Sequence, residues 1–150
     1  MSILLLAECW PFRNCAIYSF DNSEGRELAY NAGISIQKLE ELCTCRYVFE
    51  YYVPSYKRKF DRYNHELGLR LSCIWRSYGL EYDITLLVGK RLAYHTGMRD
   101  IPFFQVHFAK ALRFAVIPNP AAKFWWDDPD HVAQYKGFMV KMFNQHGGTV

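Results

Sequence analysis

The chain has 150 residues, of which 51% are hydrophobic and 17% aromatic, so a packed core is expected and wholesale disorder is excluded. The 18 Lys and Arg residues outnumber the 15 Asp and Glu residues, and the net charge of +3 permits nucleic-acid binding without requiring it. No apolar run approaches the length of a membrane span, which predicts a cytoplasmic protein with no membrane partner.

The cysteines exclude two further classes of protein. There are five of them, with no CxxC pair, and this argues against a disulfide framework and against a zinc ribbon. No standard zinc-ligand spacing is found among Cys9, Cys15, Cys43 and Cys45. The sequence therefore predicts no metal site and no cofactor.

Residues 1–20 have the least regular pattern of the chain. The apolar run Ile3–Ala7 fits either a short buried strand or a helix, and Pro11 interrupts whatever element forms. We interpret residues 1–20 as an irregular lid packed over the core or as a short strand.

Capping residues divide the next part of the chain into helices. Asp21, with a glutamate three positions on, is a capping box and predicts a short helix that stops at Gly33. Ser35 predicts the start of a second helix. Ser55 predicts a third helix over residues 55–78, whose apolar face recurs at steps of three and four.

Three more helices are predicted in the second half of the chain, over residues 83–96, 101–117 and 129–146. Each has a start signal, an apolar stripe and a stop signal. Asp128 and Pro129, for example, fit the cap and the first position of the last helix. The prediction for the whole chain is a mostly α, single-domain bundle of five to six helices with an irregular N-terminal segment.

The two central helices form a helix-turn-helix candidate over residues 83–117. Ala93 is small where the helices would cross, Gly97 falls in the turn, and Phe103 and Val106 would be the buried side of the second helix. Residues 92–110 also resemble the second helix-turn-helix of AraC-type transcription regulators. The residues that carry the resemblance are Ala93, Tyr94, Gly97, Asp100, Phe103, Phe104, Phe108 and Lys110.

This resemblance implies a DNA-reading role for residues 99–110. Arg99 and Gln105 would contact base edges in the major groove. Backbone phosphates would be contacted by Lys90, Arg91, Lys110 and Arg113. Further basic contacts are predicted at the start of the long helix, from Lys57, Arg58, Lys59 and Arg62. The alternative is a buried central helix without a DNA contact.

Two weaker resemblances give other hypotheses. Pro54–Tyr63 is similar to the C helix and CD corner of globins, and His95 with the following Ile101–Pro102 is similar to their proximal histidine, which implies haem binding. Arg58 and His65 resemble the Arg/His pair of HEPN ribonucleases, but no phosphate loop, catalytic triad or paired acidic motif is present. We therefore do not predict an enzyme.

A protein-interaction function is the main alternative. Aromatic residues and Arg are enriched at interfaces, and Trp125 and Trp126 are the residues predicted to bind a protein partner. The sequence thus favours a small DNA-binding regulator. The alternatives are an interaction or inhibitor module of the phage or plasmid accessory type, and then a globin-like haem protein. A second copy of the chain is a further candidate partner.

Overall fold

The computed structural model describes residues 2–9, 23–49, 60–78, 81–96, 100–109 and 112–147. Five strands lie in this part of the chain: β1 (Ile3–Cys9), β2 (Cys43–Phe49), β3 (Ile84–Val88), β4 (His107–Ala109) and β5 (Leu112–Ile117). They form one sheet in the order β2-β1-β3-β5-β4. All pairs are parallel except the pair of β4 with β5, which is antiparallel.

The central strands are apolar because both faces of the sheet are covered. Leu4 and Leu86 are fully buried, as are their neighbours along β1 and β3. A strand that is buried on both sides has a continuous apolar sequence and not an alternating one. The same reasoning applies to β5, whose sequence LRFAVI has one exposed position, Arg113.

Helices cover the two faces. Their bounds are α1 (Ser23–Asn31), α2 (Ile36–Leu42), α3 (Phe60–Tyr78), α4 (Lys90–Tyr94), α5 (Lys123–Trp126) and α6 (Pro129–Met142), which continues as a π-helical turn, Phe143–Gly147. One core lies between the sheet and α1, α2 and α6. A second core lies between the other face and α3 and α4. The architecture is a three-layer α/β/α arrangement.

Two of these helices begin at the capping residues that the sequence predicts. The Ser35 hydroxyl accepts a hydrogen bond from the Lys38 amide at 3.1 Å at the start of α2. The Asp128 carboxylate accepts from the Asp130 amide at 2.9 Å, with Pro129 at the first position of α6. The helix predicted over 129–146 corresponds to α6. The helix predicted over 55–78 corresponds to α3 within the described residues 60–78.

The predicted fold class, a mostly α bundle, is wrong. Residues 84–88 form β3, and only Lys90–Tyr94 is helical within the predicted helix 83–96. The predicted helix 101–117 is a turn followed by β4 and β5. The apolar residues at steps of three and four belonged to continuous buried runs, which fit either period. The described residues thus contain a mixed sheet where the helix-turn-helix was predicted.

Of the two alternatives for the N-terminal segment, a lid or a short strand, the structure shows the strand over its described residues. Ile3–Cys9 is a strand, but it lies in the middle of the sheet between β2 and β3 and is not a lid over the core. Residues 10–22, the rest of that segment, lie outside the described part of the chain. No helix in the described ranges has both the length and the apolar character needed to cross a membrane.

Candidate functional site

The strand order places a topological switch point between β1 and β3. The chain leaves β1 for α1 and α2 on one face of the sheet, whereas it leaves β3 for α4 on the other face. Connections that diverge in this way open a crevice outside the carboxyl ends of the strands, where open α/β sheets bind their ligands. We call this end of the parallel strands the carboxyl edge, and we take it as the candidate site.

An ion pair bridges the switch point. Glu8 lies near the carboxyl end of β1, and its Oε1 atom is 3.2 Å from Nη1 of Arg91 in α4. The Glu8 side chain is only 15% exposed, whereas that of Arg91 is 45% exposed. The partly buried carboxylate therefore holds the guanidinium at the mouth of the crevice, and part of the guanidinium stays open to solvent.

Gly89 brings α4 to this position. Its φ of +97° is in the left-handed region, which side chains other than hydrogen rarely adopt. Its amide donates to the Ile117 carbonyl at 2.8 Å, so the end of β3 is bonded to the end of β5. The sharp turn places Lys90 and Arg91 directly at the carboxyl edge.

An aromatic cluster, defined as Phe103, Phe104, Trp125 and Trp126, lies beside these charges. The Phe104 amide donates to the Val116 carbonyl at 3.1 Å, which fixes the turn against β5. The ring centroid of Trp125 is 5.7 Å from that of Phe103 and 5.9 Å from that of Phe104. Nζ of Lys90 lies 4.8 Å from the Phe103 ring centroid, a cation–π contact that joins the cluster to α4.

The segment between β5 and α6 holds one aromatic side chain outside this cluster. Asn119 orders the segment, because its side-chain oxygen accepts from the Ala121 amide and its carbonyl accepts from Nε1 of Trp126, both at 2.9 Å. Phe124 follows in α5 and is 94% exposed. A phenylalanine this exposed contributes almost nothing to the core, so its ring is available to a ligand.

His131 is held against the same cluster. Its ring stacks on Trp125 with the planes 15° apart and the centroids separated by 4.7 Å. Nδ1 lies 2.9 Å from the Trp125 carbonyl oxygen, and because a carbonyl only accepts, Nδ1 carries the proton. Nε2 then faces the carboxylate of Asp128 at 3.7 Å.

The predicted site residues separate into three groups. Lys90 and Arg91 are at the carboxyl edge, and Trp125 and Trp126 are half-buried in the aromatic cluster. Gln105 is exposed in the turn before β4, and Arg113 is near the opposite end of β5, where it lies over Phe108. The positions outside the described residues are Lys57, Arg58, Lys59, Arg99 and Lys110, together with the side chain of Arg62.

Sequence reasoning missed four residues of this edge: Glu8, Gly89, Phe124 and His131. A signal for the first two was present, because Ile3–Ala7 and Ile84–Val88 are apolar runs that are followed at once by an acidic residue or by glycine. Had both runs been assigned as parallel strands, their carboxyl ends would have been expected at one edge. Phe124 and His131 carried no such signal.

No protein-family model matches the sequence, and no match was found among curated proteins or solved structures. Within the described ranges, no group of three or more His, Cys, Asp and Glu residues is arranged to hold a metal ion. The carboxyl edge offers instead exposed cations, an aromatic cluster and one partly buried acid. This combination suits an anionic ligand that carries a planar ring.

Proposed function

We propose that the chain binds nucleic acid at the carboxyl edge of its sheet, and not through a helix-turn-helix. The observation that carries the proposal is Phe124, which is 94% exposed beside the aromatic cluster at the end of the sheet where α/β folds bind ligands. A base stacked on such a ring contributes roughly 1–3 kcal/mol of binding free energy, whatever the base.

The cations of this edge favour a path for the phosphate backbone. Lys90 and Lys123 are exposed, and Arg91 is paired with Glu8. Exposed carboxylates at the start of α6 would instead repel phosphates; these are Asp127, Asp128 and Asp130. The phosphates therefore run along the lysines, and the bases point towards Phe124.

This arrangement favours unpaired bases. A ring can stack on Phe124 only if the base is free of its neighbour on that face, as in single strands, loops or ends. The net charge of +3 is also modest for a protein that covers a long duplex. We expect single-stranded oligonucleotides to bind more tightly than duplexes of the same sequence.

Fluorescence anisotropy with a labelled single-stranded oligonucleotide tests the proposal. Phe124→Ala should weaken binding by about 5- to 150-fold, the equivalent of roughly 1–3 kcal/mol. The matched control is Tyr30→Ala in α1, because Tyr30 is 81% exposed and equally dispensable to the core. Equal affinities for the two variants, or no binding by the wild-type chain, would reject the proposal.

A pull-down from the native host, with and without nuclease, separates the proposal from the protein-interaction alternative. Nucleic acid recovered with the chain and lost after nuclease treatment supports the proposal. A single protein recovered in equal amount under both conditions, with no nucleic acid retained, supports an interaction module. In that case Trp125→Ala or Trp126→Ala should abolish capture of that protein.

A further inference from the structure

A groove of about 410 Å³ lies between α3 and the end of α4. It is lined by His65, Gly68, Leu69, Ser72 and His95. The four residues of α3 are spaced at i, i+3, i+4 and i+7, so they form one stripe along the helix. The groove falls within the range of volumes found for small-ligand sites, and it carries two imidazoles and a hydroxyl.

Gly68 makes room for the ring of His95. A Cβ atom at this position would lie 3.0 Å from Nδ1 of His95, closer than side chains normally approach. Glycine in the interior of a helix costs about 1 kcal/mol relative to alanine, and the 19-residue helix α3 carries that cost at its middle. The absence of a side chain at Gly68 therefore leaves room for the His95 ring beside α3, between His65 and Ser72.

One nitrogen of the His95 ring has no hydrogen-bond partner within the described part of the chain. Nε2 of His95 is buried there without a hydrogen bond. Nδ1 is the atom of the ring that lies nearest to the position of a Cβ atom at Gly68.

We propose that this groove binds a divalent transition-metal ion through Nδ1 of His95 and the imidazole of His65. Neutral imidazole is the commonest protein ligand of such ions, and Ni²⁺, Cu²⁺ and Zn²⁺ all accept it. Water or the Ser72 hydroxyl completes the coordination, since the described residues provide no third His, Cys, Asp or Glu.

Isothermal titration calorimetry of the full chain with Ni²⁺ tests this site. The titrations use a Cys73→Ser background, because Cys73 is an exposed thiol on the same helix. We expect one ion per chain, with His65→Ala and His95→Gln each weakening binding by at least about ten-fold. His146→Gln in the C-terminal turn is the control and should bind as the parent does.

Gly68→Ala provides a second variant, and we expect it to fold. Alanine favours the helix, so thermal unfolding without metal should show a folded protein. The added methyl group displaces the His95 ring and should weaken Ni²⁺ binding by several-fold at least. Absence of binding in the parent, or parent-like affinity in His65→Ala or Gly68→Ala, would overturn the proposal.

Discussion

The two edges of the parallel sheet treat their polar residues in opposite ways. At the amino edge, Ser2 and Asp83 bond to each other: the Ser2 amide donates to the Asp83 carboxylate at 3.2 Å, and the Asp83 amide donates to the Ser2 carbonyl at 3.0 Å. His146 lies 3.8 Å from the same carboxylate. The polar groups of this edge hold β1, β3 and the C-terminal turn to one another.

At the carboxyl edge the comparable groups are turned towards solvent. Arg91 is paired with Glu8 but remains half-exposed, and Phe124 projects almost completely from the surface. The turn at Gly89 requires a positive φ. The polar groups of the amino edge are thus bonded to one another, whereas Arg91 and Phe124 at the carboxyl edge are open to solvent. Substitutions at the two edges should therefore affect different measurements.

The largest effect on stability is expected from Phe104→Ala. The Phe104 ring packs on Tyr135 and Phe138 of α6 as well as on Trp125, so its removal opens the core beneath the carboxyl edge. We expect a loss of about 2–4 kcal/mol in the free energy of unfolding, measured by urea denaturation. Phe124→Ala is the control and should change it by less than about 0.5 kcal/mol. Similar losses for both would show that Phe124 is also part of the core.

The next largest loss of stability is expected from a substitution that strains the backbone of the carboxyl edge. Gly89→Ala should destabilise the fold by about 1–2 kcal/mol, because the φ of +97° is strained for any residue with a Cβ atom. The new methyl group itself would meet Asn119 at an ordinary contact distance of 3.6 Å. Gly137→Ala in α6 is the matched control, since a Cβ there meets nothing within 4 Å and should stabilise the helix. Destabilisation by both would point to a cause other than φ.

The sequence predicted the starts of two helices correctly, because helix-capping signals are local. The caps at Ser35 and Asp128 act within three residues, and α2 and α6 begin where they predict. Strands buried on both faces give no alternation, and Asp83 before Ile84–Val88 looked like the cap of a helix. Lys90 and Arg91 were predicted as site residues from their positive charge. The partner of Arg91, Glu8, is 83 residues away, and only the sheet brings the two together.

A smaller loss of stability is expected from a substitution at the amino edge. Asp83→Ala removes the acceptor of the Ser2 amide and the carboxylate near His146, so the free energy of unfolding should fall by about 1 kcal/mol. Affinity for the oligonucleotide should stay within two-fold of wild type, because the carboxyl edge is untouched. A ten-fold loss of affinity in folded protein would show that the two edges are not independent.

The smallest effect on stability, and the sharpest contrast between the edges, is expected from Glu8→Gln. The ion pair with Arg91 is partly exposed, so its loss should change the free energy of unfolding by no more than about 1 kcal/mol. Affinity for nucleic acid should rise, since a negative charge is removed and Arg91 is released towards phosphates. One added phosphate contact would steepen the slope of log affinity against log salt by about 0.7 for a single strand. Asp83→Asn makes the same change of charge at the amino edge and should leave that slope unchanged. If both variants gained affinity equally, net charge and not the carboxyl edge would control binding.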